Sequence, residues 1–143
     1  WSMESKAAIF GLTFSTTKKH VIRAGLESIG FQIKDVITAM ESDSEIPLQQ
    51  LKLDGGITVN QFVMQFICDL VNTPVINIGL KDVSALGAAY LATLKHDTPI
   101  DINSDILYQQ QTLYHPKYHE IVNEMYLTGW KKNIQSLITS RNS

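Results

Sequence analysis

Two glycines, Gly55 and Gly56, stand between the alternating residues of Leu51–Asp54 and a helix-like run that opens at Asn60. A glycine pair at such a place lets the chain turn sharply and removes the Cβ atoms, so a flat or charged ligand can touch the main chain. The helix behind it would direct N–H groups and a positive dipole end at whatever binds. A nucleotide suits this arrangement, and so does an ordinary strand-to-helix connection with no ligand at all. The run fits neither G-x-G-x-x-G nor G-x-x-x-x-G-K-[ST], which excludes the dinucleotide fingerprint and the P-loop. Asp54 is the one aspartate at a predicted strand end, where open α/β sheets place ligand groups. Its alternative role is to hold the turn by accepting bonds from loop N–H groups.

Other reactive side chains form no constellation. His115 and His119 are four apart with Glu120 adjacent, a spacing seen in paired metal ligands. Pro116 sets His115 ahead of the helix, so the two imidazoles have no common face and no metal site is assigned. His20 and His96 have no neighbouring carboxylate or cysteine and read as surface imidazoles. There is no G-x-S-x-G elbow and no paired-carboxylate cluster, so hydrolysis has no nucleophile. The single cysteine, Cys68, can close no internal disulfide and reads as a small core residue, which suits a reducing cytoplasm.

The elements that must hold this turn follow from periodicity. In a chain of 143 residues that is 44% apolar and 18% charged, one soluble domain with a real core is expected. A net charge of −2 offers nothing to phosphate backbones or anionic lipid, which argues against nucleic-acid and membrane partners. No apolar run approaches the roughly 20 residues that cross a bilayer, and the start lacks a signal-peptide layout. Ile22, Leu26, Ile29, Ile33, Val36, Ile37 and Met40 mark one long helix, capped by Ser15, Thr16 or Thr17 and finished before Pro47. Gly25 and Gly30 inside it are read as sites of close helix-to-sheet packing. A short strand at Leu51–Asp54 precedes the glycines, and a helix at Asn60–Val71 follows them.

Pro74–Ile78 is the second strand and Ser84–Leu94 a helix whose Gly87, Ala88 and Ala89 admit another backbone. Lys95 to Thr112 reads as a polar surface connector. A final helix opens at Pro116 and bends at Gly129. The order argues for an α/β fold of βαβ units with a parallel sheet flanked by helices. Two strands are too few to cover these apolar helical faces, so either the connector hides more or part of the sheet lies outside this chain.

Taken together, "AIFGLTFSTTKKHVIRAGLESIGFQIKDVITAM", "IPLQQLKLDGGITVNQFVMQFICDLVNTPV" and "ALGAAYLATL" closely resemble the C-terminal region of the FGGY carbohydrate kinases, glycerol kinases most of all. The similarity runs from about Ala7 to Leu94 and resumes over Tyr126–Ile134, where "GWKKNI" resembles the family's last helix. The resemblance implies an actin-like, ribonuclease H-like ATPase domain, incomplete here, with residues 1–143 a C-terminal portion of the kinase C-terminal domain. It implies transfer of the γ-phosphoryl group of ATP, with Mg2+, to a small polyol or sugar in a cytoplasmic enzyme whose relatives often self-associate.

Gly56 and Asn60 match the family's nucleotide-contacting positions, Gly55 allows the approach, and the "ALGAAYLA" helix would pack beneath that site. The family's general-base aspartate, polyol contacts and phosphate hairpin precede the counterpart of Trp1. The isolated chain is therefore expected to be inactive. Another FGGY sugar kinase, or a non-catalytic nucleotide-binding module, are the alternatives.

Overall fold

The first helix starts where the sequence offers a cap. In the computed structural model, which describes residues 7–79, 82–94 and 111–139, α1 spans Lys18–Ser44 with Thr17 as its N-cap. His20 has more than a surface role: its Nδ1 accepts the Thr17 backbone N–H at 3.1 Å, the part a glutamate or glutamine plays in a capping box. Glu45, at φ 57°, closes the helix just ahead of Pro47.

β1 (Leu51–Leu53), α2 (Gln61–Val71) and β2 (Val75–Asn77) form the expected βαβ unit. The two strands pair in parallel, Leu51 opposite Val75 and Leu53 opposite Asn77. The sheet is nevertheless mixed, because β3 (Thr112–Tyr114) joins β2 antiparallel, with Thr112 opposite Asn77. A strand therefore does lie where the polar connector ends, although residues 95–110 of that connector, His96 among them, fall outside the described residues.

The core is built around α2. Val63, Met64, Ile67 and Cys68 are wholly buried against Ile37 of α1 and Val75 of β2. The opposite side of α2, through Phe66 and Leu70, packs on Phe31, Val122 and Tyr126. A helix apolar nearly all round is stable only when enclosed like this, and its enclosure fixes where its N-terminus, and hence the glycine turn, must sit. Asp69, the buried acid of α2, ties the C-terminal part to it: Oδ1 accepts the N–H groups of Lys117 at 2.6 Å and Tyr118 at 3.3 Å and the amide of Gln65 at 3.0 Å. There α4 (His119–Glu124) begins. Gly129 lies inside a π-helical segment, Met125–Lys131, through which α4 continues into α5 (Lys132–Thr139).

Gly25 and Gly30 part company, and neither packs on the sheet. A Cβ on Gly30 would stand 2.8 Å from the Phe66 ring of α2, whereas one on Gly25 would meet nothing within 4 Å. Gly25→Ala should therefore raise stability by up to about 1 kcal/mol through helix propensity. Gly30→Ala should lower it by about 1 kcal/mol net, because overpacking costs about 1–3 kcal/mol against that same gain. Urea titration of the two variants checks the opposite signs.

α3 (Val83–Leu94) also departs from expectation. Asp82 caps it by accepting the Ala85 N–H at 3.2 Å, yet no residue of α3 is buried, and Leu91 and Leu94 stand exposed. The small-residue helix does not lie enclosed beneath the glycine turn among the described residues.

Candidate functional site

Parallel strands end on the same side of a sheet, and the exits of β1 and β2 lie next to each other. Asn77 pairs with Leu53, and the Ile78 N–H donates to the Leu53 carbonyl at 3.1 Å. Gly55 and Gly56 leave from this carboxyl edge, the edge at which open α/β sheets bind ligands.

Gly55 adopts φ 91° and ψ 176°, a conformation that essentially only glycine occupies. A 3-10 turn over Gly56–Val59 follows, with the Thr58 N–H donating to the Gly55 carbonyl at 3.1 Å and the Asn60 N–H to Ile57 at 3.0 Å. Gly56 is exposed, and a Cβ built on it would meet nothing within 4 Å. Folding thus makes no demand for glycine at position 56, and the space in front of it belongs to no side chain of the described residues.

Asn60 is the N-cap of α2: its Oδ1 accepts the N–H groups of Phe62 at 3.1 Å and Val63 at 3.3 Å. The donor end of the helix is thereby satisfied from within, so the helix contributes less to an incoming ligand than its position suggested. What remains at Asn60 is the amide Nδ2, a donor with no partner among the described residues. Gly55, Gly56 and Asn60 are thus brought together in one turn, offering bare backbone and one amide donor. That combination can bind a flat polar group and cannot by itself move a proton.

Asp54 does not hold this turn. It is exposed and makes no hydrogen bond among the described residues. The bracing comes from two residues that sequence reading passed over, Thr58 and Asn77. Thr58 is buried and its hydroxyl donates to the Gly55 carbonyl at 2.8 Å; the Asn77 amide donates to the Thr58 carbonyl at 3.0 Å. An asparagine closing the otherwise apolar strand "PVINI" was the available signal, since strands are depleted in asparagine.

His119 Nδ1 lies 2.8 Å from the Asp69 carbonyl, and the His115 carbonyl accepts the Gln65 amide at 2.9 Å. Among the described residues no three His, Cys, Asp or Glu side chains gather as a metal site would require. Burial pushes the Cys68 thiol up to about 11, which keeps it protonated and unreactive at neutral pH. No helix of the described residues is long and apolar enough to cross a membrane.

Residues 1–96 match the C-terminal domain of the FGGY family of carbohydrate kinases. The glycerol kinase of Geobacillus kaustophilus (strain HTA426) is 43% identical over 139 residues, which are 95% of this chain and 28% of that protein. The crystal structure of Plasmodium falciparum glycerol kinase with ADP superposes with a TM-score of 0.76 at 33% identity, covering 96% of this chain and 28% of that one. The xylulose kinase of Rhodospirillum rubrum, at 23% identity and a TM-score of 0.60 over 91% of this chain and 26% of that one, shares the fold. The chain spans 28% of the length of the curated Geobacillus relative it matches. These likenesses place its α/β architecture, a small sheet flanked by helices, among the actin-like ATPase folds.

Proposed function

The chain belongs to the FGGY family of carbohydrate kinases, and from that premise we propose that it is the adenosine-side portion of an ATP-dependent polyol kinase, with glycerol as the phosphoryl acceptor. The observation that carries this reading is the open space at Gly56. A Cβ there would meet nothing within 4 Å, and the residue lies at the carboxyl edge of the sheet, where open α/β sheets bind ligands, beside an amide donor with no partner among the described residues. An adenosine group would rest its flat face on the Gly55–Gly56 backbone and accept a hydrogen bond from Asn60 Nδ2.

Phosphoryl transfer depends on positioning and charge neutralisation. The described residues offer only the first of these, on the nucleoside side. No three His, Cys, Asp or Glu side chains gather among them, and neither a general base nor a phosphate clamp is assigned to them. On this reading residues 1–143 form a C-terminal portion of the kinase C-terminal domain, and the polyol contacts belong to the remainder of a cytoplasmic enzyme. The greater identity to glycerol kinases than to a xylulose kinase favours glycerol over a sugar.

Calorimetric titration of ADP into the 143-residue chain tests the assignment with two variants. Gly56→Val adds a Cβ that meets nothing within 4 Å and should melt as the wild type does, while weakening ADP by about tenfold or more, a loss of at least 1.4 kcal/mol. Asn60→Ser keeps a capping oxygen and removes the amide donor, so it too should weaken ADP with little change in stability. ADP binding that is unchanged in both variants would sink the adenosine assignment.

A further inference from the structure

The glycine turn is held by a relay of hydrogen bonds that starts on the neighbouring strand. Gly79, at φ 77°, donates its N–H to Asn77 Oδ1 at 2.9 Å. Asn77 Nδ2 donates to the Thr58 carbonyl at 3.0 Å. Both Thr58 Oγ1, at 2.8 Å, and Thr58 N–H, at 3.1 Å, converge on the Gly55 carbonyl. Because a trans peptide is planar, turning the Gly55 carbonyl inward toward Thr58 turns the Gly56 N–H outward.

We infer that Thr58 and Asn77 are positioning residues for nucleotide binding, setting the orientation of the Gly55–Gly56 peptide that a ligand would meet. This rests on the adenosine reading of the turn. Neither residue acts on the ligand directly: Thr58 is buried, and both amide atoms of Asn77 are already engaged within the chain. Their part is preorganisation. Gly55 and Gly56 have wide conformational freedom, and a backbone that must be ordered on binding loses affinity. Two donors on one carbonyl, backed by the β2 exit, order it beforehand. Asn77 thereby makes the end of β2 part of the site, although it lies 19 residues from Thr58 in sequence.

Paired substitutions separate positioning from packing. Thr58→Val keeps the buried volume and loses the hydroxyl; Thr58→Ser keeps the hydroxyl and loses a methyl. If the residue positions the turn, Thr58→Val weakens ADP binding about tenfold, or 1.4 kcal/mol, and Thr58→Ser binds as the wild type does. If Thr58 only packs, the serine variant is the worse of the two, and that order overturns the inference. Asn77→Asp keeps the acceptor for Gly79 and loses the donor to Thr58, so it should weaken ADP by a similar factor.

A second readout needs no ligand. The Gly56 amide resonance of the free chain should shift and broaden in Thr58→Val and in Asn77→Asp, while that of Thr58→Ser stays in place. Unchanged Gly56 resonances in the first two variants would overturn the inference. ADP that fails to bind the wild-type chain instead removes the adenosine reading, and the Gly56 resonance then decides the positioning role alone.

Discussion

Replacing Asp35 with alanine is expected to lower the stability of the chain by about 3 kcal/mol and to loosen the π-helical segment from α1. One carboxylate of α1 receives that segment. Asp35 Oδ1 accepts the Tyr126 hydroxyl at 2.6 Å, Oδ2 accepts the Trp130 indole N–H at 2.6 Å, and Lys131 Nζ lies 3.2 Å from Oδ1. A turn closed from i to i+5 brings residues four and five apart to the same side, which is why Tyr126, Trp130 and Lys131 reach one partner. Hydrogen bonds to a charged group contribute about 1.5–3 kcal/mol each. The Asp35 side chain is 35% exposed, so water takes up part of what the substitution removes, and the lower half of the summed range applies. The exposed Lys131 pair adds at most about 1 kcal/mol.

The same cluster gives the chain an alkaline limit. Burial, followed by its bond to Asp35, raises the Tyr126 hydroxyl above the usual tyrosine value. Lys131 is raised as well, first by its bond to Tyr126. Both groups hold their protons longer in the folded chain than in the unfolded one. The stabilisation is therefore full at neutral pH and is lost as pH rises past the ordinary tyrosine value of about 10. Urea titrations from neutral to alkaline pH should show this decline, and it should be smaller in Tyr126→Phe. A wild-type and Tyr126→Phe pair with identical pH profiles would contradict it, as would an Asp35→Ala variant of unaltered midpoint.

The second large effect is expected at Gly55→Ala. The φ of 91° and ψ of 176° at Gly55 would hold a side chain in strain worth about 1–3 kcal/mol. Relief of that strain would rotate the peptide and draw the Gly55 carbonyl away from both Thr58 donors. Stability should fall by this amount and ADP binding should be lost with it. Thermal melting and ADP titration of the variant are the measurements, and a chain that melts and binds like the wild type would refute the account.

Much of the architecture was legible in the sequence because it is local. The heptad-like stripe of α1, the enclosed run of α2 and the glycine break after Leu53 each depend on neighbours within one or two turns. β3 was not legible: Thr112, Leu113 and Tyr114 carry no alternation long enough to register, and the strand exists through its pairing with β2. Thr58 and Asn77 were missed for the same reason, since their bond depends on the register of two strands. Asp35 stood among several aspartates with nothing to single it out, because Tyr126 and Trp130 lie 91 and 95 residues away. Asn60 was singled out for the ligand, and the structure adds that its oxygen is already capping α2. That is why serine tests its amide better than alanine does.

The empty surroundings of Gly56 have a consequence for how variation in this chain is interpreted. Suppose every residue type were introduced at each turn position and the library sorted twice, once for folded protein and once for nucleotide capture. Gly55 would be depleted in both sorts, so its losses say little about binding. Small side chains at position 56 would pass the first sort and fail only the second. The difference between the two maps would then outline the ligand footprint without a liganded structure, with position 56 as its reference point.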